Sequence, residues 1–172
     1  GARTASYACA GSTHLVLPLT DDGRLIQTFV DALQTGIMPR PGRNTTLALR
    51  TIDADMAQQD TPGTIVFFTD GVEPGAAEAF KAQVDSGRSL PVVLGFGTAE
   101  GGPVKAAEGG APEAGRPRFA RVDVEALKRL GREAGVPVAT VTPDSDEDVR
   151  WVQHRVQSHL AQKESESGAR WK

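Results

Sequence analysis

The stretch Gly63-Thr64-Ile65-Val66-Phe67-Phe68-Thr69-Asp70-Gly71 constrains this chain more than any other. It is an apolar run too short for a typical helix, and turn formers bound it: Pro62-Gly63 before and Asp70-Gly71 after. Such a run predicts a strand buried on both faces, as in a parallel sheet covered by helices. The only carboxylate of the run, Asp70, stands at the strand's exit. In open parallel sheets ligands gather in the crevice beyond the carboxyl ends of the strands, where helix N-termini also point. Asp70 is therefore the first candidate site residue. Its plainer role would be to cap the helix that follows, since Asp accepts hydrogen bonds from free helix amides.

The rest of the chain alternates strand and helix. Thr4 to Ala10 and His14 to Leu17 are apolar runs joined by Gly11-Ser12-Thr13, a spacing that predicts an antiparallel hairpin. Thr20-Asp21-Asp22 precedes Leu25, Phe29 and Leu33 at helical spacing, predicting an amphipathic helix ending near Gly36. A second helix is expected from Thr45 to Gln58 with Ala48, Ile52 and Met56 inward, and a weaker one over Ala76 to Val84. Leu90 to Phe96 and Val136 to Val141 read as further strands. Asp123 caps a helix carrying Val124, Leu127, Leu130 and Ala134, with Gly135 as its left-handed terminator. A last helix is expected from Asp144, with Glu147 as capping-box partner and Val149, Val152, Val156 and Leu160 buried. Between Thr98 and Val122 the glycines and prolines predict a mobile loop or loose hairpin. The polar stretch after Ala161 should fray or act as a linker.

These features together predict one α/β domain over residues 1–163 followed by a polar tail, 164–172. Its sheet should be doubly wound and mainly parallel, with an antiparallel edge hairpin. A net charge of −3 supplies no basic footprint, and Arg116, Arg118 and Arg121 form only a short cluster, so nucleic-acid binding is not expected. No segment approaches the roughly 20 apolar residues of a membrane span, and no signal peptide is visible; the chain reads as soluble. Its start at Gly1 rather than Met reads as that of a processed or partial chain. The single cysteine, Cys9, lies in an apolar run, which favours a buried thiol.

Several motifs then agree in order and spacing along nearly the whole chain: Tyr7-Ala8-Cys9-Ala10-Gly11-Ser12, His14 through Asp22, Ile37-Met38-Pro39, and Gly42-Arg43-Asn44. Gly63-Thr64-Ile65-Val66 with Thr69-Asp70-Gly71 follows, then Leu94-Gly95-Phe96-Gly97-Thr98 with Gly101-Gly102-Pro103, and Val141-Thr142-Pro143-Asp144. The chain resembles the von Willebrand factor type A domain, in particular its bacterial membrane-anchored, aerotolerance-type subgroup. The resemblance implies a six-stranded doubly wound sheet whose central first strand ends in an Asp-x-Ser-x-Ser loop, the main ligand source of a metal-ion-dependent adhesion site. No such loop occurs here, so the resemblance implies a chain that starts after that strand and its helix. Where the family places a metal-facing Thr or Ser this chain has Arg43, and of the implied ligand set only Asp70 is clearly in place. Thr45 and Thr46 are displaced substitutes.

One carboxylate cannot hold Mg²⁺ in its near-octahedral oxygen shell, and a guanidinium in the same pocket would repel a cation and pair with Asp70. A degenerate site with no cofactor is the expectation, Mg²⁺ returning only if upstream residues complete it. Arg43, Asn44 and Asp70 are the candidate binding-face residues. Cys9 with His14 lacks a third orienting group, and His154 and His159, five apart, lie on different faces of a helix and read as surface residues. Asp144, Asp146, Glu147 and Asp148 suit a helix N-terminus. Trp151 lies off the apolar face and marks either a contact surface or a covered loop.

The chain thus reads as a non-enzymatic protein-interaction module. The resemblance places it in a membrane-associated, periplasmic or extracytoplasmic protein with spans outside this chain. The alternative, a hydrolase or transferase using Asp70, lacks a phosphate loop, a nucleophile elbow or an acid–base pair. In the absence of the central strand, the strands Thr4 to Ala10 and Thr64 to Thr69 should either pair directly or recruit a segment of a second molecule, giving a homodimer by strand exchange.

Overall fold

The computed structural model describes residues 3–34, 38–58, 63–104, 118–141 and 144–169. Strands β1 (Thr4–Cys9) and β2 (Thr13–Thr20) form an antiparallel hairpin, followed by helices α1 (Gly23–Ala32) and α2 (Thr45–Gln58). Next come β3 (Gly63–Thr69), α3 (Ala76–Ser86), β4 (Ser89–Gly95), β5 (Gly102–Val104) and β6 (Arg118–Ala120). The chain ends with α4 (Val124–Ala134), β7 (Val138–Thr140) and α5 (Glu147–Ala169). A parallel sheet of order β3-β4-β7 is the centre of the fold, and β5 with β6 closes the base of the expected loose hairpin. Residues 105–117, where most of the glycine-rich segment falls, lie outside the described residues.

Central position in the sheet would ordinarily exclude a proline, yet β4 carries Pro91. The register explains it. Phe96 donates its amide to Thr69 on β3 while Val93 donates to Pro137 on the β7 side, so Pro91, in phase with Val93, turns its missing N–H toward β7. Pairing with β7 begins only at Val93, so no ladder bond is lost.

Alternation along β3 sends Ile65 and Phe67 into a core built with Ala48, Leu49 and Ile52 of α2, Phe80 of α3 and Leu127 and Leu130 of α4. Phe67 and Phe80 meet with ring centroids 5.2 Å apart, a tilted pair. Among the described elements α5 packs on the opposite face of the sheet, anchored by His159, whose Nδ1 lies 3.1 Å from the Thr64 hydroxyl. The caps of α4 fall where the sequence put them: Asp123 Oδ1 accepts the Ala126 amide at 2.9 Å, and Gly135 turns at φ 67°.

Several expectations are corrected. The hairpin does not join the parallel sheet: among the described residues β1 bonds only β2 and β3 only β4, so direct pairing of the two strands is overturned. The amides and carbonyls of Thr64, Val66 and Phe68 face away from β4 and meet no strand among the described residues. The hairpin is instead tied to α2, through the Tyr7 hydroxyl donating to Asp55 at 2.8 Å. Helix α1 starts as expected, with Asp22 accepting the Arg24 and Leu25 amides, but buries no residue, because its main support among the described elements is β2. Helix α5 begins at Glu147 rather than Asp144 and continues through Ala169 instead of fraying. Its Glu, Lys, Gln and Ala residues are strong helix formers, and Lys163 and Gln162 both bond Glu166 one turn on. Val149 is exposed rather than buried, and His159 is buried rather than a surface residue. Cys9, at the hairpin end of β1, is exposed rather than buried.

Candidate functional site

Three segments meet beyond the carboxyl end of β3: the loop before α2, the β3–α3 connection and the start of α4. Asp70 leaves β3 where Thr69 bends the chain, its hydroxyl accepting the Gly71 amide at 3.2 Å. The Asp70 carbonyl accepts the Asp123 amide at 2.7 Å, which fixes the Asp70 backbone to the α4 cap. Its side chain does not cap α3, whose N-cap is Gly75 without a side-chain bond. Instead Asp70 Oδ1 accepts from Nη2 of Arg43, and the two side chains remain 41% and 40% exposed. Gly71 leaves room beside the pair: a Cβ there would stand 3.3 Å from Arg43 Nη1, a tight contact that the guanidinium would have to shift to accept.

Sequence reasoning missed the residue that holds the start of α2, two residues after Arg43. Glu73 accepts the Thr45 amide at 2.9 Å, the Thr45 hydroxyl at 2.5 Å and the Thr46 amide at 2.8 Å, closing the N-terminus of α2. Burial alone would raise its pKa, but the Thr45 hydroxyl and the Thr46 and Thr45 amides outweigh that and hold the carboxyl down to about 2. The available signal was an acid three residues after Asp70; its partner threonines lie 27 and 28 residues away in sequence. Asn44 serves α2 as well, its Oδ1 accepting the Leu47 amide at 2.9 Å. Of the three binding-face candidates, the structure brings Arg43 and Asp70 together and gives Asn44 a capping role.

This donor set does not fit a divalent cation. Asp70 accepts a guanidinium, the Thr45 hydroxyl is committed to Glu73, and among the described residues no group of three or more His, Cys, Asp or Glu is placed to hold a metal. The remaining candidates stay apart: His14 Nε2 lies 2.9 Å from Ser12 Oγ, and His154 is exposed while His159 is buried. Trp151 is half-buried, with Arg155 stacked over it 5.4 Å from the ring centroid.

The parallel sheet, its helices and the crevice at the strand ends define a layered α/β protein. Its described fold matches solved bacterial proteins. BatB of Bacteroides thetaiotaomicron, a conserved hypothetical protein, superposes with a TM-score of 0.77 over 92% of this chain and 80% of its own at 20% identity. An aerotolerance-related membrane protein of Bacteroides fragilis, solved with multiple mutations to serines, gives 0.72 over 93% and 79% at 21% identity. These likenesses show a shared fold. No protein-family model matches the chain, and no curated protein matches it.

Proposed function

We propose that the chain is a von Willebrand factor type A-like, non-enzymatic protein-interaction module whose adhesion site has lost its metal and carries the Arg43 guanidinium in its place. The observation that carries this reading is the Arg43–Asp70 ion pair at the carboxyl end of β3. The guanidinium has five donors in a planar fork; Asp70 takes one of them, so the exposed remainder can receive acceptors from a partner surface. In this reading residues 1–163 carry the module, and α5 continues beyond it through Ala169 into the exit segment, 164–172. The fold shared with an aerotolerance-related membrane protein of Bacteroides fragilis supports placement in a bacterial membrane-associated protein; in our reading the module stands on its periplasmic or extracytoplasmic side. No helix among the described residues is long and apolar enough to cross a membrane. The free edge of β3 supports a homodimer by strand exchange as a further partner mode.

Calorimetric titration tests the reading. The expected result is no heat of binding with Mg²⁺ or Mn²⁺. A micromolar isotherm lost on Asp70→Asn overturns it.

A further inference from the structure

Helices α2, α3 and α4 hold the sheet through apolar side chains, with Leu49, Phe80, Leu127 and Leu130 buried among them. Helix α5 does not. Among its described residues only Asp148 and His159 are buried, each 8% exposed; Val152, Val156 and Leu160 are half-buried and Val149 is exposed. None of its described residues belongs to the core that the other three helices share. The same face keeps an open groove of ≈ 460 Å³ lined by Phe68, Leu94 and Val152, so α5 closes it incompletely. A helix seated with so few buried apolar contacts can open locally while the core stays folded.

The two buried groups are both ionisable, and charge acts differently on each. Asp148 lies in the first turn of α5, where the helix dipole favours a carboxylate, and it accepts the Val149 amide at 2.7 Å. His159 stands about three turns further on, its Nδ1 3.1 Å from the Thr64 hydroxyl. Strands β3 and β4, the main partners of α5 among the described elements, carry no titratable side chain. Arg88, just before β4, is turned to Asp53 of α2. On α5 itself Arg155 and Lys163 stand one turn to either side of His159 and add positive charge. Glu166 opposes them, but Gln162 and Lys163 already bond it. Burial first, then the Lys163 charge, holds the imidazole neutral, with its pKa below 6.5. An imidazolium here is a desolvated charge in the joint between helix and sheet, and the Thr64 hydroxyl can bond it but not neutralise it.

We propose that α5 is an acid-released latch: protonation of His159 frees the C-terminal part of α5 from β3 while the core of α2, α3 and α4 stays folded. The release uncovers Thr64 and Val66, which β alternation places on the α5 face. Thr64 is at the start of β3 and Asp70 at its exit, so the latch stands or falls independently of the metal-free reading of the Arg43–Asp70 crevice.

The test is hydrogen exchange of the whole chain, read by mass spectrometry at about pH 7.5 and about pH 5, on either side of the ordinary imidazole value, and corrected for the intrinsic pH dependence of exchange. The expected result is a several-fold loss of protection at acid pH in the amides of residues 156–166, with α2 and α4 unchanged. His159→Gln, which keeps a neutral polar group beside Thr64, should remove that acid increment, and His154→Gln, at an exposed position, should retain it. Imidazole NMR on the parent chain gives a readout that needs no variant: the His159 ring should titrate over the pH range in which α5 opens. Protection of α5 that acid leaves unchanged, or an acid increment that survives His159→Gln, overturns the proposal. So does a loss in α2 and α4 as large as that in α5, or a His159 ring that titrates while α5 stays protected.

Discussion

Phe67 and Phe68 are the same residue type, adjacent on one strand, and they meet opposite fates: 8% and 66% exposed. The first points into the layer made by α2, α3 and α4; the second points to the face on which α5 packs. The difference teaches that β alternation assigns a side chain to a face, while the elements packed on that face decide whether it is buried. The same contrast separates α2, whose Ala48, Leu49 and Ile52 are in the core, from α1, which is as apolar in pattern and buries nothing.

The sharpest way to break this comparison is truncation on each face. Phe67→Ala should cost about 3–5 kcal/mol in urea unfolding, and Phe68→Ala less than about 1 kcal/mol. Equal losses would mean that both faces are closed in solution. Glu73 tests what locks the closed layer at its upper edge. Its folded pKa of about 2 lies below the ordinary 4.5, so its contribution is present above pH 4.5 and lost as the pH falls toward 2. Discounted for its partial exposure, Glu73→Gln should cost about 1–2 kcal/mol at neutral pH and leave a shallower acid dependence than the parent.

On the other face, Val152 and Val156 are half-buried while Gln153 and Gln157 are exposed. Alanine at either valine should cost about 0.5–1.5 kcal/mol, and at either glutamine under about 0.5. His159 sharpens the same docking: burial first, then the Lys163 charge, lowers its pKa below 6.5, with Glu166 opposing. A folded state that disfavours the imidazolium is at full stability above that value and loses it as the pH falls below. The expected outcome is that His159→Gln removes part of the midpoint loss between neutral and mildly acid pH. The smallest effect belongs to the exposed Arg43–Asp70 pair, where Arg43→Ala should change stability by less than about 1 kcal/mol in a thermal melt.

Local chemistry made much of this molecule legible. The turn-bounded apolar run 63–69 is β3; Thr45 to Gln58 is α2 to the residue; Asp22, Asp123 and Gly135 cap as their types require. Asp70 at the strand exit was legible too, because position and charge are both local, and Arg43 was legible as its partner. What sequence alone could not settle were quantities set by distant neighbours. Glu73 gains its role from threonines 27 and 28 residues away. His159 is buried because α5 lies over Thr64, 95 residues earlier. The exposed stripe of α1, the open groove beside Phe68 and the unjoined edge of β3 have apolar signatures no different from buried ones. Periodicity and capping act over a few residues and fix which elements form; burial is a sum over everything that packs against them, and only the tertiary structure supplies that sum.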